Sequence, residues 1–73
     1  MKVKINLDTN SAVNALVAAA TSISDPVYLV DNNGLKVSAK SLLGVVYVRF
    51  EFNEIWLECE GDHYFIFKDF IAE

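Results

Sequence analysis

Apolar and polar side chains alternate at the start of the chain, with Val3, Ile5 and Leu7 separated by Lys4 and Asn6. This is the period of a strand with one buried face. The pattern then changes. Asp8-Thr9-Asn10-Ser11 offers four residues able to cap a helix, and the alanine-rich stretch behind it carries Ala12, Leu16, Ala19 and Ala20 at helical spacing. A helix is predicted over 11–22. Asp25-Pro26 closes it, because proline has no N–H for the helical ladder and restricts the residue before it. Two strand-forming runs, 27–31 and 35–39, flank Asn32-Asn33-Gly34, a hairpin signal. A second helix is predicted from Ser41 to about residue 48. Ser41 acts as its N-cap, and Leu42, Leu43, Val45 and Val46 supply apolar surface behind it. Residues 49–53 are ambiguous between helix end and strand. Gly44 costs about 1 kcal/mol against alanine in a helix interior, which points to close packing there. Alternation returns over 55–60 and stops at Gly61. Beyond it, Asp62-His63 can open a last helix over 64–72, with Phe67, Phe70 and Ile71 at helical spacing.

The element order is therefore strand, helix, strand, strand, helix, strand, helix. In a chain of 73 residues this predicts one α+β domain over 1–73, a two-layer open-faced sandwich with helices on one face of a four-stranded antiparallel sheet. No repeat or low-complexity linker interrupts it. A chain this short buries only about 60% of its unfolded surface, and the apolar content of 53% supplies the core it needs. If Val27, Leu29, Ile55 and Leu57 face the helices, Tyr28, Val30 and Trp56 face outward. That open face would be unusually apolar and would favour self-association as a homodimer or a partner.

Charge and chemistry narrow the function classes. The net charge is −4 and the acidic residues crowd the C-terminal third, so a phosphate backbone would be repelled and nucleic acid is not an expected partner. The longest apolar runs fall short of a membrane span and the first residues lack a signal-peptide core, so the cytoplasm is the expected compartment. The single Cys59 cannot form an internal disulfide and reads as a small buried hydrophobe beside Ile55 and Leu57. His63 reads as a surface residue near a helix start. Asp25, Asp31 and Asp62 read as turn or cap residues, no Cys/His metal cluster or paired-carboxylate site is recognisable, and no cofactor is expected. The pattern favours a non-enzyme.

The segment Lys40-Ser41-Leu42-Leu43-Gly44-Val45-Val46, preceded by Asn33-Gly34 and the alternating Leu35-Lys36-Val37-Ser38-Ala39, resembles the regulatory-serine region of HPr. HPr is the histidine-containing phosphocarrier protein of the bacterial sugar phosphotransferase system. The similarity extends over nearly the whole chain, including the run from Glu54-Ile55 to Gly61, but only the segment at Ser41 is specific. It implies the HPr-like βαββαβα order. It also implies that Ser41 is a site of regulatory phosphorylation and that Leu42, Leu43 and Val46 form a docking ridge beside it.

The resemblance breaks at the phosphocarrier site. Where the family has its histidine this chain has Thr9; Ser11 stands for the family's arginine and Ala12 for its proline. A threonine hydroxyl has no nitrogen on which to form a phosphoramidate, so Thr9 reads as a helix cap. The expectation is a bacterial, phosphotransferase-system-related module without phosphocarrier function. It would act by binding protein partners, among them a serine kinase or a transcriptional regulator of sugar use. The alternative is a domain that keeps only the fold and serves an unrelated structural or interaction role.

Overall fold

A computed structural model describes residues 1–72. The elements are β1 (Lys2–Ile5), α1 (Asn10–Thr21), β2 (Val27–Val30), β3 (Lys36–Ser38), α2 (Leu42–Glu51), β4 (Ile55–Cys59) and α3 (Tyr64–Phe67), the last continued by a 3-10 turn over Lys68–Phe70. The strands form one antiparallel sheet in the order β1-β4-β2-β3. β4 is thus central, pairing Ile5↔Ile55 and Val3↔Leu57 on one side and Leu29↔Leu57 and Val27↔Cys59 on the other. The fold is α+β.

The core lies on one side of this sheet. Ile5, Val27, Leu29, Ile55, Leu57 and Cys59 pack with Val13, Leu16 and Ala20 of α1, Val45 and Val48 of α2, and Phe67 of α3. Period two on the strands and period 3.6 on the helices bring these residues to one shared interior. Among the described residues no polar or charged side chain is buried.

Local signals place most of the boundaries. Helix α1 is capped by Thr9, whose hydroxyl accepts from the Ala12 N–H at 3.0 Å, so the helix starts one residue before the predicted one. The hairpin closes through Asp31, whose carboxylate accepts from the Asn33 and Leu35 N–H groups at 2.9 Å each. Gly34 adopts φ +89° there, a left-handed conformation that glycine takes without steric cost. Helix α2 runs through the ambiguous stretch to Glu51, and Phe52 is already extended with its N–H on the Val48 carbonyl.

Two expectations are corrected. The predicted last helix over 64–72 ends in helical form at Phe67, tightens into the 3-10 turn and becomes extended at Ile71. Ile71 then pairs with Ile5, the Asn6 N–H donates to the Phe70 carbonyl at 2.9 Å, and the Ala72 N–H donates to the Lys4 carbonyl at 2.8 Å. These bonds give the outer edge of β1 partners that a continued helix would have left without them. The second correction is Val30. It is 4% exposed, although its register places it between Trp56 and Lys36 on the open face and outside the helix-side core. It therefore does not project into solvent as expected.

Candidate functional site

The second helix begins where β3 ends. Ser41 has an extended backbone (φ −97°, ψ 116°) and its Oγ accepts from the Gly44 N–H at 3.1 Å, while the Ser41 carbonyl takes the Val45 N–H at 2.9 Å. It is the N-cap, and its hydroxyl is on the surface. The preceding Lys40 is turned away, its ammonium donating to the Ile23 carbonyl at 2.8 Å. Gly44 is explained by packing: a Cβ built there would stand 2.6 Å from Val37 Cγ1. Without a side chain at 44, α2 can lie directly on β3.

That close seat sets the rotation of the helix. Val45 and Val48 are fully buried. The side of α2 opposite them carries Leu43, Val46, Tyr47 and Phe50, which are 83%, 38%, 49% and 70% exposed, with Leu42 at 49% on the flank. At 100° per residue these side chains fall on one stripe, about 10 Å long from Leu43 to Phe50. The helix is apolar on both faces. Such helices are ordinarily buried all round, so the outer stripe is surface that this chain alone leaves in water. Leu42, Leu43 and Val46 were expected here from the sequence. Tyr47 lay within the predicted helix without being picked out, and Phe50 was missed because the helix was stopped near residue 48, although they lie four and seven positions beyond Leu43.

The N-terminal end of α1 stands at the other end of α2. Arg49, in the last turn of α2, donates to the Asp8 carbonyl at 3.0 Å and to the Asn10 Oδ1. The cap Thr9 is thereby bracketed by two residues that Arg49 holds. No sequence signal joins Arg49 to residue 8; the packing of α1 against α2 does. The Thr9 hydroxyl is committed to the Ala12 N–H and has no basic side chain bonded to it.

The open face of the sheet differs from the bare apolar surface expected of Tyr28, Val30 and Trp56. Tyr28 is 38% exposed, Trp56 is half-buried and Val30 is buried. Lysines lie over the aromatics: Lys2 Nζ is 5.9 Å from the Trp56 ring centre and Lys36 Nζ is 5.5 Å from that of Tyr28, within the range of cation–π attraction. Lys36 also pairs with Glu58 at 3.0 Å and Lys4 with Glu54 at 3.3 Å. The Lys36 hydrogen bond is the main cause that lowers the Glu58 pKa below its ordinary 4.5, with the charges of Lys36, Lys2 and the N-terminus adding to it. A shallow cleft of about 340 Å³ opens beside this network, lined by Pro26, Tyr28, Lys36, Glu58, Cys59 and Glu60.

The remaining candidates are structural. His63 Nε2 is 3.0 Å from Asp25 Oδ2, joining the loop before α3 to the loop after α1. It is half-buried and paired, where a plain surface residue was expected. Asp25 follows the C-terminal end of α1, whereas Thr9 caps its N-terminal end, so the His63 to Asp25 contact is not part of the Thr9 cap. Cys59 is buried, and burial pushes its thiol above the ordinary value of 9.0, Asp25 and Asp62 adding to the rise and the N-terminus opposing it. The protonated thiol is a poor nucleophile. Among the described residues no helix is long and apolar enough to cross a membrane.

Comparison of the chain with protein-family models, with curated proteins and with solved structures gave no match.

Proposed function

We propose that this protein is a cytoplasmic, HPr-like regulatory module without phosphocarrier activity, which binds protein partners through the outer face of α2 and is controlled at Ser41. The observation that carries this reading is the continuous exposed stripe Leu43, Val46, Tyr47 and Phe50 beginning two residues after an exposed capping serine. A phosphate on Ser41 would add about −1.5 to −2 charges at a helix N-terminus. There the dipole and free N–H groups favour it by roughly 0.3–1 kcal/mol, so the fold accommodates the modification. Its effect would fall on the partner, by offering an arginine-bearing protein an anchor or by repelling an acidic one. The partners in this reading are a serine kinase and a regulator of sugar use. Thr9 serves as a helix cap, and the module catalyses nothing itself.

A kinase assay tests the assignment. An HPr-type serine kinase should label the native chain, and Ser41→Ala should abolish the label. Failure to label native protein under conditions that label an ordinary HPr would leave Ser41 as a cap only. In a parallel reaction with phosphoenolpyruvate and the general phosphotransferase enzyme, no acid-labile, alkali-stable phosphate should appear. Peptide mapping would locate any that did, at His63 or elsewhere.

A further inference from the structure

We infer that the outer face of α2 is covered in solution by the same face of a second copy of this chain, the two α2 helices crossing antiparallel about a two-fold axis near Val46 and Tyr47. The inference rests on the reading of α2 as a binding surface and names its occupant. Three observations select a second copy.

The first is that α2 is apolar on its outer side as well as on its inner one, with Arg49 and Glu51 confined to its last turn. Val45 and Val48 face inward and are fully buried, while Leu43, Val46, Tyr47 and Phe50 face the other way and remain 38–83% exposed. A helix apolar on two opposite sides packs best between two layers, and the described residues supply only one of them.

The second is self-complementarity. The spacing of Leu43, Val46, Tyr47 and Phe50 is three, one and three residues, symmetric about its own centre. A two-fold axis there sets Leu43 against Phe50 of the second copy and Phe50 against its Leu43, as an isologous interface requires. The helix dipoles oppose in the same arrangement.

The third is area. With about 150–250 Å² in a fully exposed aromatic side chain, the exposed parts of Leu42, Leu43, Val46, Tyr47 and Phe50 come to on the order of 500 Å². That is more than half of the roughly 800 Å² per partner of a standard interface, from five side chains alone. The sheet's open face is the poorer alternative, because its aromatics lie under Lys2 and Lys36 and it carries the Lys4–Glu54 and Lys36–Glu58 ion pairs.

Sedimentation equilibrium of the full chain, from low micromolar to near-millimolar concentration, tests this together with cysteine cross-linking. Native protein should show a monomer–dimer equilibrium. Leu43→Glu should remain monomeric at every concentration with an unchanged far-ultraviolet circular dichroism spectrum. Tyr47→Cys, next to the axis, should form a disulfide-linked dimer under mild oxidation, and Lys36→Cys on the open face should not. A native chain monomeric throughout the range overturns the second copy while leaving the kinase labelling of Ser41 to decide the wider reading. A dimer that Leu43→Glu leaves intact, or that cross-links at Lys36→Cys and not at Tyr47→Cys, also overturns it.

Discussion

Gly44 shows how one missing side chain positions the candidate surface. Alanine at this position would ordinarily gain about 1 kcal/mol in a helix. Here the added Cβ would meet Val37 Cγ1 at 2.6 Å, and Val37 is a β-branched residue with little rotamer freedom. Overpacking of this kind costs typically 1–3 kcal/mol, so Gly44→Ala should be a net destabilisation of about 1 kcal/mol, lowering the thermal midpoint by several degrees. Adding Val37→Ala should recover part of that loss, and the coupling in a double-mutant cycle is the measurement that checks it. Two independent additive losses would show that α2 does not sit on Val37. The oddity of this glycine was legible in the sequence. The identity of the neighbour was not, because Val37 reaches Gly44 only once β3 and α2 have folded onto each other.

At the scale of elements, α3 is the least regular and depends most on one anchor. It has four residues, Tyr64–Phe67, with no side-chain cap at His63. Of its side chains only Phe67 is buried, while Tyr64, Phe65 and Ile66 are exposed. So short a segment has no helical stability of its own; Phe67 in the core, the His63 to Asp25 contact and the strand-like pairing of Ile71 with Ile5 hold it in place. Phe67→Ala removes the first of these and should cost about 3–5 kcal/mol. That is a large share of the stability of a small domain. Chemical denaturation of the variant gives the loss, and amide exchange should show the Ala72 and Asn6 N–H groups losing protection with it. A loss under 1 kcal/mol would mean that α3 is held by its surroundings without Phe67. The helical spacing of Phe67, Phe70 and Ile71 suggested a continuous helix, and the competing demand was tertiary. The edge of β1 needed hydrogen-bond partners, and a periodicity argument does not see sheet edges.

Over the whole molecule, charge ties the outer strand β3 to the central strand β4 across β2. Lys36 of β3 and Glu58 of β4 meet over β2, with Tyr28 beneath Lys36. Because the Lys36 hydrogen bond lowers the Glu58 pKa in the folded chain, the folded state holds the ionised form more tightly than the unfolded state does. The stabilisation is therefore present above the ordinary value of 4.5 and is lost as pH falls through the lowered folded value. Thermal midpoints of the native chain and of Glu58→Gln, measured from neutral pH downward, should differ at pH 7 and converge below 4.5. A difference that stays constant with pH would mean that packing of the side chain, and not its charge, is responsible. The pair is exposed, so the effect is small and salt-sensitive.

The sequence by itself determined the parts of this protein that depend on near neighbours. The strand periods, the caps Thr9 and Ser41, the proline stop after α1 and the Asn-Gly hairpin are each written within a few residues, and together they yield the α+β order and the inward set Val27, Leu29, Ile55 and Leu57. That Leu42, Leu43 and Val46 lie on the outer side was implied by the resemblance at Lys40 to Val46 and not by the local pattern, which did not separate them from the buried Val45. Tertiary structure alone decided what lies between distant segments. It set Arg49 over residues 8 and 10, placed Val30 between Trp56 and Lys36, and laid lysines over the open-face aromatics. It also turned Ile71 onto β1 and carried α2 far enough for Phe50 to complete one apolar stripe. Hydrophobic burial is non-directional, so a pattern along the chain specifies which side of an element is apolar. Which neighbour covers that side is fixed only when the layers close.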